Sequence, residues 1–471
     1  MAGPSIVDTI RRIAANAPQR IAAVADGEAV SYAALLRRIG GIAGALAALG
    51  VGPGQVVAIG LGDPFLGLLL LAGVDQCGAC TAAFRPDEGP NCHELIAAAD
   101  LVLTDTQDPP GPCRRHLVLD AAWWARVAAA PPLAAAAPAG AEAAMMVIRS
   151  SGTTGRPKRL LLTRNMLAAR CTQRIAAYGM HADTRYMLTM SPGVFTMVAC
   201  VVLTWRLGGM VVVERRLPLW LALVAAQPTH VTLLPHALGE LLDALPDDFA
   251  RLPGLRLVML GARLPAPLRT RALDRLAGGI VDHYGTNEAG LICRLDDAGR
   301  GAPVPGQTVA VLDPDGRRVA AGETGRVAVR GPAVAAGYLD ELALTARHFC
   351  DGWFLTDDLA VSLGDGRLLL VGRSEDVLNI GGHKFACADL EAALRHEAGL
   401  DDVAVLPGAD AAPPVIACVL REAQSWAAAA ERIRAVLPSL LQNAGLCAVN
   451  AIPRTPEGKL RRPQLRAMLQ A

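Results

Sequence analysis

Two hydrophobic periods alternate along much of the chain. Residues Ala33 to Leu49 carry apolar side chains at helical spacing. Short β-branched runs recur around such segments: QVVAIGL (55–61), LVLTD (101–105), HLVLD (116–120), GGMVVVE (208–214), THVTLLP (229–235) and LRLVMLG (255–261). Strands interleaved with helices predict an α/β fold with largely parallel sheets. From Thr308 the texture changes. TVAVLDPDG, TGRVAVRG and RLLLVGR alternate as strands and are broken by Gly and Asp-Pro turns, which predicts a β-rich subdomain over about 305–373. The tail, 374–471, combines a helix (Cys387 to His396), strands (VAVLP, PVIACVL) and a second helix (Ala427 to Leu437). The expected organisation is a large N-terminal domain, 1–373, of two αβ subdomains plus the β-rich one, followed by a small mobile α+β C-terminal domain on a hinge. The Pro/Ala-rich stretch Pro131 to Gly140 reads as a connecting loop.

Length and composition narrow this picture. A chain of 471 residues exceeds one ordinary core, and 52% hydrophobic residues give it ample material to bury. A net charge of +1 without a basic run argues against nucleic acid as a partner. The start, MAGPSIVDTIRR, has no apolar signal core, and the apolar stretch Phe65 to Val74 is too short to span a bilayer. A cytoplasmic protein without a membrane span is expected. Eleven scattered cysteines suit a reducing compartment. Cys77-Gly-Ala-Cys80 has C-x-x-C spacing, but it ends the apolar run LGLLLLAGVDQ and is read as core packing.

The chemistry concentrates first in SSGTTGRPK, Ser150 to Lys158, which follows the strand-like MMVI and precedes RLLLT. Gly152 and Gly155 permit backbone conformations that a Cβ forbids. Such a loop can turn N–H groups onto an anion, with the hydroxyls of Ser150, Ser151, Thr153 and Thr154 beside them and the charge of Lys158 close by. It reads as a polyphosphate cradle, although its spacing is not that of the common P-loop.

Further segments stand in order behind it: YGTNE (284–288), GWFLTDD (352–358), GRSEDVLNIGGHK (372–384) and PRTPEGK (453–459). Together with Val30 to Leu61 they resemble the adenylate-forming superfamily of acyl- and aryl-CoA synthetases, luciferases and peptide-synthetase adenylation domains, over nearly the whole chain. The resemblance implies an ATP- and Mg2+-dependent acid–thiol ligase. A carboxylate attacks the α-phosphate of ATP to give an acyl-adenylate and pyrophosphate, and a thiol then displaces AMP. The implied partners are a small-molecule carboxylic acid and CoA as acceptor. The alternatives left open are loading of an acyl carrier protein through its phosphopantetheine arm, and a nucleotide-binding pseudoenzyme.

Roles follow from the same resemblance. Lys459, Glu288 and Thr154 form the catalytic set; Lys459 bridges carboxylate and ATP oxygens, and Glu288 holds Mg2+. Tyr284 stacks on adenine within a nucleotide site that includes Gly261, Ala262, Gly285, Thr286 and Asn287. Asp358 takes the ribose hydroxyls, as a carboxylate can accept two hydrogen bonds from a cis-diol, and Arg373 assists it. Glu375 is the hinge, Gly381 and Gly382 line a thiol tunnel, and Lys384 enters the nucleotide site after rotation. Arg159, Asn287, Asp357 and Lys384 depart from the family pattern. Arg159 replaces a glycine and is expected either to alter closure of the loop or to add a phosphate contact. The Asn287 amide keeps a donor for the α-phosphate. Asp357 is expected to raise the pKa of one of the paired carboxyls. The segment SPGVFTM places Phe195 and Thr196 in the acyl pocket. Thr196 cannot hold an ammonium, so the expected substrate is a neutral, largely apolar acid.

Overall fold

A computed structural model describes residues 5–133, 140–150, 157–261, 264–373, 377–380, 383–408, 413–421, 424–454 and 460–470. The fold is α/β, with two large sheets and a small α+β tail. The first sheet has six strands in the order His116–Val118, Leu101–Thr104, Val56–Gly60, Cys80–Ala83, Ala144–Ser150, Lys158–Thr163. All neighbours are parallel except the last pair, an antiparallel hairpin in which Ser150 stands opposite Lys158. The two strands that flank residues 151–156 thus pair with each other at the edge of this sheet.

The second sheet has fourteen strands. Its parallel part runs through Met210–Val213, Arg185–Met187, His230–Leu233, Leu252–Met259 and Ala277–Thr286. The strand Ala277–Thr286 then changes partner. Up to Val281 it lies parallel to Leu252–Met259, and from Asp282 it pairs antiparallel with Gly290–Leu295. Antiparallel pairing continues through Arg300–Pro303, Arg367–Arg373, Trp353–Gly364, Thr324–Arg330 and Thr308–Leu312. The β-rich texture read from Thr308 is thus joined to the αβ sheet through a strand that the hydrophobic pattern alone did not mark.

Core packing explains the apolar runs. Phe65 to Val74 lies in the helix Pro64–Gln76, where all but Leu66 among the residues Phe65 to Gln76 are buried; its first turn is capped by Asp63, which accepts from the Phe65 and Leu66 amides. Cys77 and Cys80 are buried and free, and burial pushes their thiols up to about 11 and about 12. That is core packing, without a reactive thiolate. No helix among the described residues is long and apolar enough to cross a membrane.

The tail forms a three-stranded sheet, Asp402–Leu406, Val415–Val419 and Gly445–Ala448, packed by the helices Cys387–Glu397 and Trp426–Val436. These match the predicted tail elements closely. Asp402 ties the sheet to the end of the chain. Arg454 donates Nε to its Oδ2 at 2.9 Å and Nη2 to its Oδ1 at 2.8 Å, the fork geometry suited to a carboxylate. An antiparallel bridge joins Arg454 to Leu460.

Candidate active site

The strand Ala277–Thr286 and the turn after it organise the candidate site. Gly285 lies at a register shift in the antiparallel pair, and a Cβ there would sit 2.5 Å from the carbonyl oxygen of Gly290. Only glycine lets the backbone close that tightly. Thr286 then accepts the Ala289 amide at 3.1 Å on its hydroxyl, which caps the turn. Gln307 donates from Nε2 to the Ala289 and Leu291 carbonyls, and the Ala335 amide and Arg170 both donate to the Glu288 carbonyl. The backbone that carries Glu288 is therefore clamped from several sides.

The Glu288 side chain is 8% exposed and accepts the Tyr338 hydroxyl on Oε1 at 3.1 Å. Tyr338 is tied in turn to the strand behind the phosphate loop, through a bridge to Leu160 and through the Leu339 amide, which donates to the Arg159 carbonyl. The ammonium of Lys158 lies 5.1 Å from the centre of the Tyr338 ring, a cation–π distance. Lys158 and Glu288, 130 residues apart in sequence, thus meet on the two sides of one tyrosine. Nothing in the sequence reading singled out Tyr338. Its signal was faint: a Gly-Tyr pair after a strand, in a chain with five tyrosines.

At the other end of the strand Tyr284 donates its hydroxyl to Oδ2 of Asp358 at 2.6 Å. Arg373 Nε lies 3.8 Å from Oδ1 of the same carboxylate, since Asp358 and Arg373 are register partners in neighbouring strands. Burial pushes the Asp358 carboxyl above its usual range. Tyr284 and Arg373 oppose that shift, and the charges of Asp357 and Glu288 add to it. The direction expected from the doubled aspartate is therefore present at Asp358, although burial is the larger cause. Asp357 turns away to Arg326, with 3.4 Å between charged atoms. Gly261 ends the loop after Leu252–Met259 with a φ of +88°, and a Cβ there would strike Leu234 at 2.8 Å.

Several departures acquire a structural account. Arg159 does not turn to a phosphate: its guanidinium pairs with Asp340 at 2.7 Å. Asn287 commits one amide N–H to the Arg149 carbonyl at 2.7 Å, which leaves one donor for a ligand. Phe195 opens the helix Phe195–Leu207, and its ring lies 5.2 Å and 5.9 Å from the guanidinium carbons of Arg170 and Arg174. Thr196 beside it is 9% exposed. Phe195 and Thr196, expected to line an apolar acyl pocket, are therefore backed by two buried cations. The spacing explains why sequence reading missed them: Arg170 and Arg174 share the buried face of Arg164–Tyr178 with Leu167, Cys171 and Tyr178. Ser151, Gly152, Thr153, Thr154, Gly155, Ala262, Glu375, Gly381, Gly382 and Lys459 lie outside the described residues, as do the side chains of Ser150 and Lys384.

The family model for AMP-binding enzymes matches residues 10–339. The chain belongs to the AMP-binding enzyme family. It is 31% identical to a feruloyl-CoA synthase of an Amycolatopsis species, over 84% of this chain and 84% of that protein. It is 30% identical to the 2-hydroxy-7-methoxy-5-methyl-1-naphthoate–CoA ligase of Streptomyces carzinostaticus, over 80% of this chain and 70% of that one. Its fold superimposes on o-succinylbenzoate coenzyme A synthetase of Bacillus subtilis, solved with ATP and magnesium. The TM-score is 0.84 at 20% identity, covering 97% of this chain and 99% of that one. Family and relatives place the protein among the AMP-forming acyl- and aryl-CoA ligases.

Proposed function

We propose that the site adenylates a carboxylic acid with ATP and then passes the acyl group to the thiol of CoA. The observation that carries this reading is the layout of one strand and its turn. Tyr284 and Asp358 stand at one end, suited to a nucleoside, and Glu288, Tyr338 and Lys158 stand at the other, suited to its phosphates.

In the first step a substrate carboxylate oxygen bonds to the α-phosphorus, and the bond from that phosphorus to the bridging oxygen breaks. Pyrophosphate leaves with the electron pair. Lys158 and Lys459 supply charge where oxygens gather it, and the Asn287 amide offers one donor. Asp358 accepts from the ribose hydroxyls while Tyr284 and Arg373 hold its carboxylate. The residues fit a magnesium ion: among the described residues the Glu288 carboxylate accepts only Tyr338, and Mg2+ takes one or two carboxylates and fills its shell with phosphate oxygens and water. Bound there, it would neutralise charge on the leaving pyrophosphate.

In the second step the thiol gives up its proton to solvent, the sulfur bonds to the acyl carbon, and the bond from that carbon to the phosphate oxygen breaks, so that AMP leaves with the electron pair. The tail 374–471 is proposed to rotate about Glu375, so that Gly381, Gly382 and Lys384 replace Lys459 at the site. The test is an acid panel scored by pyrophosphate release with ATP and magnesium, followed by comparison of CoA with phosphopantetheinylated carrier proteins as acceptors. Thioester on CoA is the expected product. Selective loading of a carrier protein would transfer the second step to that acceptor. No pyrophosphate from any acid would overturn the enzyme reading.

A further inference from the structure

The helix Arg164–Tyr178 buries a row of charge where a core helix ordinarily buries hydrocarbon. Arg170 is 0% exposed and Arg174 2% exposed, one helical turn apart on the same face. Arg170 has a structural use: it donates to the carbonyls of Asn287, Glu288 and Ala333. Arg174 has less. Its Nη1 donates to the Arg170 carbonyl at 3.0 Å and its guanidinium also reaches the Tyr178 hydroxyl and the Cys200 thiol, while its Nε is buried without a hydrogen-bond partner. Among the described residues neither guanidinium forms a salt bridge with a carboxylate; the charge of Glu288 acts on Arg170, and no carboxylate charge offsets Arg174. The aromatic face of Phe195 supplies only a weak substitute.

Other polar groups nearby are also left open. His283, one residue before Tyr284, stacks against Tyr178 with ring centres 5.4 Å apart, and its Nδ1 is buried without a partner. Burial, with the charge of Arg174 adding to it, pulls His283 down to about 3, so the ring is neutral. Its Nε2 faces the Tyr178 hydroxyl at 3.5 Å. With that hydroxyl as donor, Nδ1 carries the proton and becomes a second donor near Arg174. The Gln173 amide, adjacent in the chain, has neither its oxygen nor its nitrogen paired.

An uncompensated buried cation is costly, and a buried donor without an acceptor adds to the cost. Both costs disappear when a ligand brings the missing anion. The place is right for the far end of an acyl substrate. Arg170 grips the backbone of Asn287 and Glu288, and Arg174 lies a further turn along the helix, roughly 6 Å by helical rise. Phe195 stands over both guanidiniums at the first residue of its helix, directly after the turn Ser191–Val194.

We infer that the acid activated by this enzyme carries a second carboxylate, which Arg174 receives at the back of the acyl site with His283 as a further donor. The inference rests on the ligase reading given above and specifies its substrate as a compact dicarboxylic acid. It replaces the neutral, apolar acid expected from Phe195 and Thr196.

The experiment compares matched acids that differ by one carboxylate, such as butyrate with succinate and glutarate, and benzoate with isophthalate. Pyrophosphate release gives kcat and KM, and thermal shift without ATP gives binding that does not depend on turnover. The wild-type enzyme is expected to favour the diacid by at least ~30-fold in kcat/KM, the low end for a buried charge pair. Arg174→Met is expected to abolish that preference by raising KM for the diacids far more than for the monoacids, with Arg174→Lys intermediate. A wild-type enzyme that prefers or equally accepts the monoacids overturns the inference, and that arm needs no variant. So does a diacid preference that survives in Arg174→Met. If no acid yields pyrophosphate, yet a diacid raises the melting temperature of the wild type and not of Arg174→Met, the anion site stands and the ligase reading falls. If no acid does either, both fall.

Discussion

Tyr284 gives its hydroxyl to Asp358 across 74 residues of sequence, at 2.6 Å. The contact joins the strand that leads into the turn of Glu288 to the strand Trp353–Gly364, whose neighbour Arg367–Arg373 runs up to the tail. It also opposes the upward push that burial exerts on the Asp358 carboxyl.

Tyr284→Phe removes that opposition, so the Asp358 carboxyl rises further. A carboxyl that takes up its proton at a higher pH loses an acceptor for the ribose sooner as the solution is acidified. The acid limb of the kcat/KM profile for ATP is therefore expected to move to higher pH. The loss on that limb is expected to be at least ~10-fold, the scale of one hydrogen bond to a charged group. Superimposable acid limbs in wild type and variant would show that the contact does not govern nucleotide binding.

Tyr338→Phe tests the bridge between Lys158 and Glu288. The ring under Lys158 is kept and only the donor to Glu288 is lost. The magnesium concentration for half-maximal pyrophosphate release is expected to rise about 3- to 10-fold, with thermal stability nearly unchanged. Glu288→Gln is expected to weaken the metal dependence much more and to lower the rate. Identical magnesium titrations in all three proteins would place the metal elsewhere.

The end of the chain allows a chemical role to be separated from a structural one. Lys459→Ala is expected to cut acyl-adenylate formation by at least ~100-fold while sparing thioester formation from supplied acyl-adenylate. Arg454→Ala acts on the base of the same loop. Burial works against the Asp402 charge, but the guanidiniums of Arg454 and Arg395 outweigh it and hold the carboxyl below its usual range. The stability this contributes is present above the ordinary carboxylate pKa and is lost as pH falls through the lowered one. Arg454→Ala is therefore expected to cost about 1–3 kcal/mol near neutral pH and less in acid. Lys459→Ala is expected to cost no stability. Urea unfolding at two pH values, paired with pyrophosphate release, measures both. Equal destabilisation by the two substitutions would contradict the assignment.

Glu375→Pro addresses the change of orientation. Proline fixes φ and removes a backbone donor, so it is expected to trap one arrangement of the tail. With the adenylating arrangement trapped, adenylate formation persists and thiol transfer drops by at least ~10-fold. Single-turnover pyrophosphate release is set against thioester yield. Wild-type rates in both steps would dismiss rotation about this residue.

Much of the architecture is local, and the sequence by itself determined it. Strand runs such as QVVAIGL and VAVLP, the strand around MMVI and the helix under Ala33 to Leu49 follow from side-chain period and turn residues, which act between near neighbours. Tyr284, Glu288 and Asp358 stood out as candidates for a related reason: short motifs keep chemically distinctive residues at fixed spacing. What the sequence could not supply was which distant groups meet. Tyr338 reaches Glu288 because a bridge to Leu160 brings its segment over the site, and no local pattern encodes that bridge. Arg159 is drawn to Asp340 by the same crossing. Arg174 shows the limit most clearly. Hydrophobic period marks a face by apolar residues, so charges on that face go unread, and only packing against the helix Phe195–Leu207 and the strand Ala277–Thr286 buries them. The pairing of buried charge is a property of the closed core, and tertiary structure alone decides it.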